Sequence, residues 1–302
     1  MKTKDSFQSR LIKLLLRFGG RKRFWESSGE VLKKRIAKNQ LYIAEPSTNF
    51  QQKVHIEKKE RDGHFYYELR PRKVGITKHI MYLHGGGFVS PITKHHWRFL
   101  ERLMNEVDFN ITVPLYPLSP KYNYKNVFEF LYPLYFEIMN ENPSEIILMG
   151  DSAGGNLALA LPQLIKENQS PRVSKIVLIS PLLDMSFENP EIDEVEPKDP
   201  FLARTAIYEI VKRYAGDTDL KNYLLSPMYG DLKDLGEISI FMGSDDILAP
   251  DARKLSKMTN ENGLDIRYFE YPKMFHVFPI LDFPEGKDAF KKIVRTLKGE
   301  DF

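Results

Sequence analysis

The sequence predicts an α/β fold with a mostly parallel central sheet and helices on both faces. Three observations carry that reading. Apolar runs of strand length alternate with amphipathic runs of helix length from residue 79 to residue 298. A glycine triplet, Gly85-Gly86-Gly87, follows the first of those strands. The stretch Gly150-Asp151-Ser152-Ala153-Gly154 has the form G-x-S-x-G and sits between a strand and a helix.

The elements follow in chain order. Residues 7–18 and 26–40 read as two helices broken at Gly19-Gly20. The first carries apolar residues at 7, 11, 14, 15 and 18, a helical stripe that calls for a partner surface. Residues 52–59 and 64–70 alternate in polarity around Arg61-Asp62-Gly63, the pattern of a hairpin. Strands are then expected near 79–83, 110–115, 145–149, 174–179, 237–242 and 266–271. Helices fit between them at 93–107, 125–140, 152–166, 250–262 and 285–298. Pro162 should kink the third of these or end it early. Residues 185–228 interrupt the alternation. There Asp199 reads as an N-cap, Pro200 as the first helical residue and Gly216 as the position past the end. Phe201, Ile207, Tyr208, Ile210, Val211 and Tyr214 give this inserted helix an apolar face.

Composition narrows the function. At 302 residues and 42% hydrophobic residues, the chain can bury a sizeable core. A net charge of +3 gives no nucleic-acid signature. The charge is uneven, however. Residues 1–45 hold twelve Lys/Arg against four Asp/Glu, a balance of +8, leaving −5 on the remainder. A basic segment of this kind fits a solvated helical face, with transient membrane-surface contact as the sharper role. The chain has no cysteine, which removes disulfides, thiolate chemistry and cysteine-based zinc sites and fits the cytoplasm. Lys13 and Arg17 interrupt the apolar run at 11–16, which is too short for a secretory signal core. No cluster has metal-ligand spacing, so neither metal nor other cofactor is expected.

The two glycine motifs supply both halves of an acyl-transfer site. In G-x-S-x-G the glycines permit a sharp turn that presents Ser152 at the end of a strand. In His84-Gly85-Gly86-Gly87-Phe88 the glycines let backbone N–H groups approach a substrate oxygen. A phosphate loop would place Lys-Ser or Lys-Thr after its last glycine, and Phe88 stands there instead. The serine's partners should follow in the order Asp or Glu, then His. Gly243 to Leu248 is a loop after a strand and contains Asp245 and Asp246. His276 is the one histidine after Ser152; the others stand at 55, 64, 79, 84, 95 and 96.

These motifs resemble the hormone-sensitive-lipase-like branch of the α/β hydrolases, a group of carboxylesterases and lipases. The resemblance rests on His84-Gly85-Gly86-Gly87-Phe88, Gly150-Asp151-Ser152-Ala153-Gly154-Gly155, Asp246-Ile247-Leu248 and Phe275-His276-Val277-Phe278. Leu115-Tyr116-Pro117-Leu118-Ser119-Pro120 is similar to the family's Tyr-Arg-Leu-Ala-Pro element, with Pro117 replacing the arginine. The family acid usually reads Asp-Pro-Leu, and Asp-Ile-Leu selects Asp246 over Asp245. The resemblance spans roughly residues 50–300 and implies an α/β-hydrolase core at 49–184 and 229–302, with N-terminal cap helices at 1–48 and a cap insertion at 185–228.

The expected function is that of a serine carboxylesterase acting on short- to medium-chain acyl esters, as a monomer or homodimer. Ser152 is the expected nucleophile, His276 the base and Asp246 its orienting acid. Backbone N–H groups of Gly85, Gly86 and Ala153 are the expected oxyanion donors. His84 and Gly87 are read as supporting the loop, and Asp151 as structural. A deacetylase or amidase could use the same machinery. A non-catalytic receptor on this scaffold would lack the histidine that is present here.

Overall fold

The computed structural model describes residues 5–73, 75, 77–168, 173–264 and 266–300. The chain opens with helices α1 (Phe7–Phe18), α2 (Arg21–Trp25), α3 (Gly29–Gln40) and α4 (Thr48–Lys53). Strands β1 (His55–Arg61), β2 (His64–Arg70) and β3 (Lys78–Leu83) follow, then α5 (Lys94–Glu106), β4 (Asn110–Pro114), α6 (Tyr124–Asn140), β5 (Glu145–Asp151), α7 (Ala153–Asn168) and β6 (Val173–Ile179). The insertion carries α8 (Ile192–Val195) and α9 (Arg204–Ala215). The core resumes with β7 (Glu237–Gly243), α10 (Ala249–Glu261), β8 (Ile266–Tyr271) and α11 (Pro284–Lys298).

The eight strands form one sheet in the order β1-β2-β4-β3-β5-β6-β7-β8. The hairpin β1–β2 and the β2–β4 pair are antiparallel; the remaining pairs are parallel. Alternate residues of each strand feed two separate cores, as the pleat requires. Met81, Leu83, Leu148, Ile176 and Ile240 face α6, α7, α10 and the insertion. Ile80, Tyr82, Ile147, Val177 and Phe241 face α5 and α11. Burial on both faces explains why the central strands read as continuous apolar runs.

Four local readings change. The predicted helix at 26–40 begins only at Gly29, whose φ is +53°, and a separate short helix, α2, precedes it. The segment starting at 52 is helical to Lys53, because the Ser47 side chain caps α4 and Phe50 is buried beneath it. Helix α7 runs through Pro162 to Asn168, held down by buried Leu157, Leu161 and Ile165. Asp199 is not an N-cap: α9 starts at Arg204, whose backbone N–H is taken by Glu196 at 2.8 Å. Gly216 does end that helix, at φ +61°.

Candidate active site

The serine turn is built from close backbone approach. Ser152 follows β5 directly, precedes α7 and has φ +54°, a conformation costly for a side-chain-bearing residue. Three hydrogen bonds hold it there: its N–H donates to Ile179 O, and its carbonyl accepts from the N–H groups of Asn156 and Leu182, all at 2.9–3.1 Å. A Cβ at Gly150 would lie 2.3 Å from Gly154 O, and one at Gly154 would lie 1.9 Å from Leu83 O. Only glycine fits at either position. The turn therefore lies directly against the end of β3, which brings the His84–Phe88 loop beside Ser152.

The three residues selected from the sequence converge. His276 Nε2 lies 2.9 Å from Ser152 Oγ, and His276 Nδ1 lies 2.8 Å from Asp246 Oδ2. His276 and Asp246 are buried, while Ser152 keeps partial exposure. Asp246 Oδ1 also accepts the N–H of Leu248, which fixes the carboxylate plane. Burial alone would lower the pKa of His276. The charge and hydrogen bond of Asp246 outweigh it and raise the value above the ordinary histidine range, and Asp199 adds in the same direction. Asp245 points elsewhere, toward Ser244 Oγ at 3.4 Å. Val277, with φ +50°, donates its N–H to Ser180 Oγ at 3.0 Å and so anchors the histidine loop to the end of β6.

The glycine loop requires one correction. Gly85 N–H donates to Asp151 Oδ1 at 3.0 Å, so it is already committed and cannot serve an oxyanion. The N–H groups of Gly86, Gly87 and Ala153 meet no acceptor among the described residues. Gly87, expected only to support the loop, thus also presents an N–H without an acceptor among the described residues. Asp151 is the post on which the loop hangs. It accepts from Tyr82 Oη at 2.7 Å and lies 3.3 Å from His96 Nε2. Burial would raise its pKa; His96, Tyr82 and the Gly85 N–H together hold it below the usual value. His84 supports the loop from within, with Nδ1 2.8 Å from Gly85 O and its ring stacked on Tyr116. Burial, and then His96, push its pKa down to about 4, which leaves it neutral.

Sequence reasoning missed Asp199. It lies fully buried within the insertion. Its Oδ1 accepts from the N–H groups of Phe201 and Leu202, and its Oδ2 from Ile247 at 3.0 Å. Burial, and then the charge of Asp246, push its carboxyl up to about 7. Phe201 meets the His276 ring edge-on at 5.3 Å. The local Asp-Pro pattern reads as a helix cap, and nothing local shows that the carboxylate spans 48 residues to the acid loop.

The N-terminal helices also reach the site. Trp25 covers Gly87 so closely that a Cβ there would lie 2.6 Å from the indole. Arg17 donates to the carbonyls of Pro197 and Lys198, and Lys22 to that of Leu202. Two hollows open onto Ser152. A cavity of about 890 Å³ is lined by Ser152, His276, Ile12, Leu16, Arg21 and Arg98 among others. A hollow of about 20 Å³ is lined by Ser152, Ala153, Trp25, Phe88, Leu202 and Ile210 among others, and His276 is absent from its walls. Among the described residues no cluster of three His, Cys, Asp or Glu side chains could hold a metal.

Comparison with known proteins agrees with this architecture. Residues 80–280 match the profile of the alpha/beta hydrolase fold family. The chain is 30% identical over 249 residues to an acetyl-hydrolase of Streptomyces hygroscopicus, covering 79% of this chain and 82% of that protein. It is 27% identical over 227 residues to an esterase of Acinetobacter venetianus, covering 73% and 75%. Among solved structures, a hormone-sensitive lipase from a metagenome library superposes with a TM-score of 0.83 at 24% identity, over 99% of both chains. With the family profile covering most of the core and its motifs assembled around one serine, the chain is an enzyme of the alpha/beta hydrolase fold family.

Proposed function

We propose that the protein hydrolyses carboxylic esters of a short acyl group and a bulky alcohol through an acyl-enzyme on Ser152. The observation that carries this reading is the continuous path from Asp246 to His276 to Ser152, at 2.8 and 2.9 Å, with Gly86, Gly87 and Ala153 sharing hollows with Ser152 and their N–H groups without acceptors among the described residues. Ser152 Oγ attacks the ester carbonyl carbon and His276 Nε2 takes its proton. The three N–H groups, one at the N-terminus of α7, stabilise the developing oxyanion. The carbonyl–oxygen bond then breaks, and His276 passes the proton to the departing alkoxide. Water, deprotonated by the same histidine, releases the acid and restores Ser152. Asp246 holds the imidazole tautomer and stabilises the imidazolium.

The two hollows support the choice of substrate. The leaving oxygen must sit within reach of His276, so the alcohol belongs in the 890 Å³ cavity that this residue lines. The acyl group belongs on the other side of Ser152, in the 20 Å³ hollow. A space of that size holds about one water or methyl group, which favours acetyl and narrows the short-to-medium range expected from the sequence. An acetyl-hydrolase among the relatives agrees. This reading includes no cofactor and no nucleic acid, and takes the enzyme to act in the cytoplasm as a monomer or homodimer. The test is hydrolysis of p-nitrophenyl esters of increasing acyl length. Specificity should peak at acetyl or propionyl and fall with each added methylene. A peak at octanoyl or longer would place the acyl chain in the large cavity and overturn the assignment of the two hollows.

A further inference from the structure

Helix α1 presents its apolar stripe outward. Phe7, Leu11, Leu14, Leu15 and Phe18 are 70, 47, 54, 62 and 69% exposed. The spacing that called for a partner surface in the sequence has none among the described residues. The helix is nonetheless fixed in this orientation by Ile12 and Leu16, which pack against the core, and by polar contacts beside them. Its capping residue Ser6 bonds both carboxylate oxygens of Glu285, through its N–H at 2.6 Å and its hydroxyl at 2.7 Å. Ser9 is buried, and Lys13 bridges Asp5 at 2.8 Å and the Lys273 carbonyl at 3.1 Å. The helix is thus apolar on two sides, with Ile12 and Leu16 turned inward and the larger stripe turned outward, whereas an ordinary surface helix exposes its polar face.

We propose that this stripe docks the enzyme on an anionic lipid surface. Charge selects that occupant. Arg10 and Arg17 flank the stripe, Arg21, Lys22 and Arg23 follow it, and residues 1–45 carry a balance of +8. A second copy of the chain would bring two such segments into contact, whereas anionic headgroups attract them. An apolar helical face edged by arginines is the form that lies in a bilayer interface. The position relative to the site gives the docking a consequence. Leu15 is at once part of the exposed stripe and of the wall of the large cavity, beside Ile12 and Leu16. The docked enzyme therefore opens its leaving-group cavity at the lipid surface. That an amphiphilic ester enters there rests on the esterase reading; the docking does not.

The experiment sediments the full chain with vesicles of phosphatidylcholine alone and of phosphatidylcholine containing phosphatidylserine. The protein should bind the second kind, release as salt is raised, and bind the first kind far more weakly. The variant Phe7→Ser/Leu11→Ser/Leu14→Ser/Phe18→Ser should lose roughly tenfold or more of that binding, given the apolar area removed. It should hydrolyse a dissolved p-nitrophenyl acetate as the parent does, because none of the four residues lines the cavity. Ser152→Ala should bind vesicles unchanged, which separates docking from catalysis. Absence of binding to either vesicle, or equal binding by the fourfold variant, would overturn the proposal. So would a parent dimer in sedimentation equilibrium that the variant converts to monomer without any vesicle binding, because a second copy would then cover the stripe.

Discussion

Asp199 Oδ2 accepts the backbone N–H of Ile247 at 3.0 Å, so a residue of the insertion holds the residue next to Asp246. Two buried carboxyls thus flank one loop: Asp246 holds His276, and Asp199 holds the backbone that aims Asp246. Their charges repel, and burial adds to the cost, which is why the Asp199 carboxyl rises to about 7. Its three N–H partners oppose that rise.

Replacing Asp199 should therefore affect the reaction without touching substrate. Asp199→Asn presents an amide donor to at least one N–H that now meets an acceptor. A loosened acid loop is expected to lower kcat/KM by about 10- to 100-fold, the range for small misplacements of catalytic groups. Loss of the negative charge also lowers the pKa of His276, which Asp199 helps raise, so the acid limb of the pH profile should move to lower pH. A variant with reduced activity but an unmoved limb would assign Asp199 a packing role alone.

Ser152→Ala should abolish nearly all ester hydrolysis and leave the fold intact, because the members of such a site act as a unit. A sulfonyl fluoride should label the parent at Ser152. Mass spectrometry that finds the label elsewhere, or a Ser152→Ala protein of parental activity, would refute the nucleophile.

Asp246 and Asp245 are separated by their surroundings. Asp246→Asn should keep the fold and lose on the order of 10⁴ in kcat, through the wrong imidazole tautomer. Asp245→Asn should cost little, since its carboxylate faces Ser244. Steady-state kinetics of both proteins decide the matter, and the reverse pattern would transfer the role to Asp245.

The pH dependence has a definite sign. Protonated His276 cannot accept the serine proton, so activity falls as pH drops through its pKa. That pKa lies above the ordinary histidine value because the charge of Asp246 overcomes burial. The rising limb of kcat/KM should therefore lie above about pH 6.5, the unperturbed value. A limb well below that would mean burial dominates and the Asp246 contact is weak in solution.

The sequence by itself determined the alternation that builds the sheet, the glycine turn at Ser152 and the order of Ser152, Asp246 and His276. These were legible because each depends on local chemistry: strand and helix periods, glycine at positions where a Cβ would strike backbone, and a histidine with no competitor later in the chain. Tertiary structure decided the rest. The Gly85 N–H, expected to face an oxyanion, is instead taken by Asp151, 66 residues away. Asp199 became part of the acid loop rather than a helix cap because the insertion folds its carboxylate onto Ile247. The stripe of α1 faces outward because Ile12 and Leu16 pack against the core and because Glu285 and the Lys273 carbonyl, more than 250 residues distant, hold Ser6 and Lys13. In each case a hydrogen-bond donor or acceptor is claimed by a group far along the chain. Periodicity records which face of an element is apolar; only the fold decides which partner reaches it.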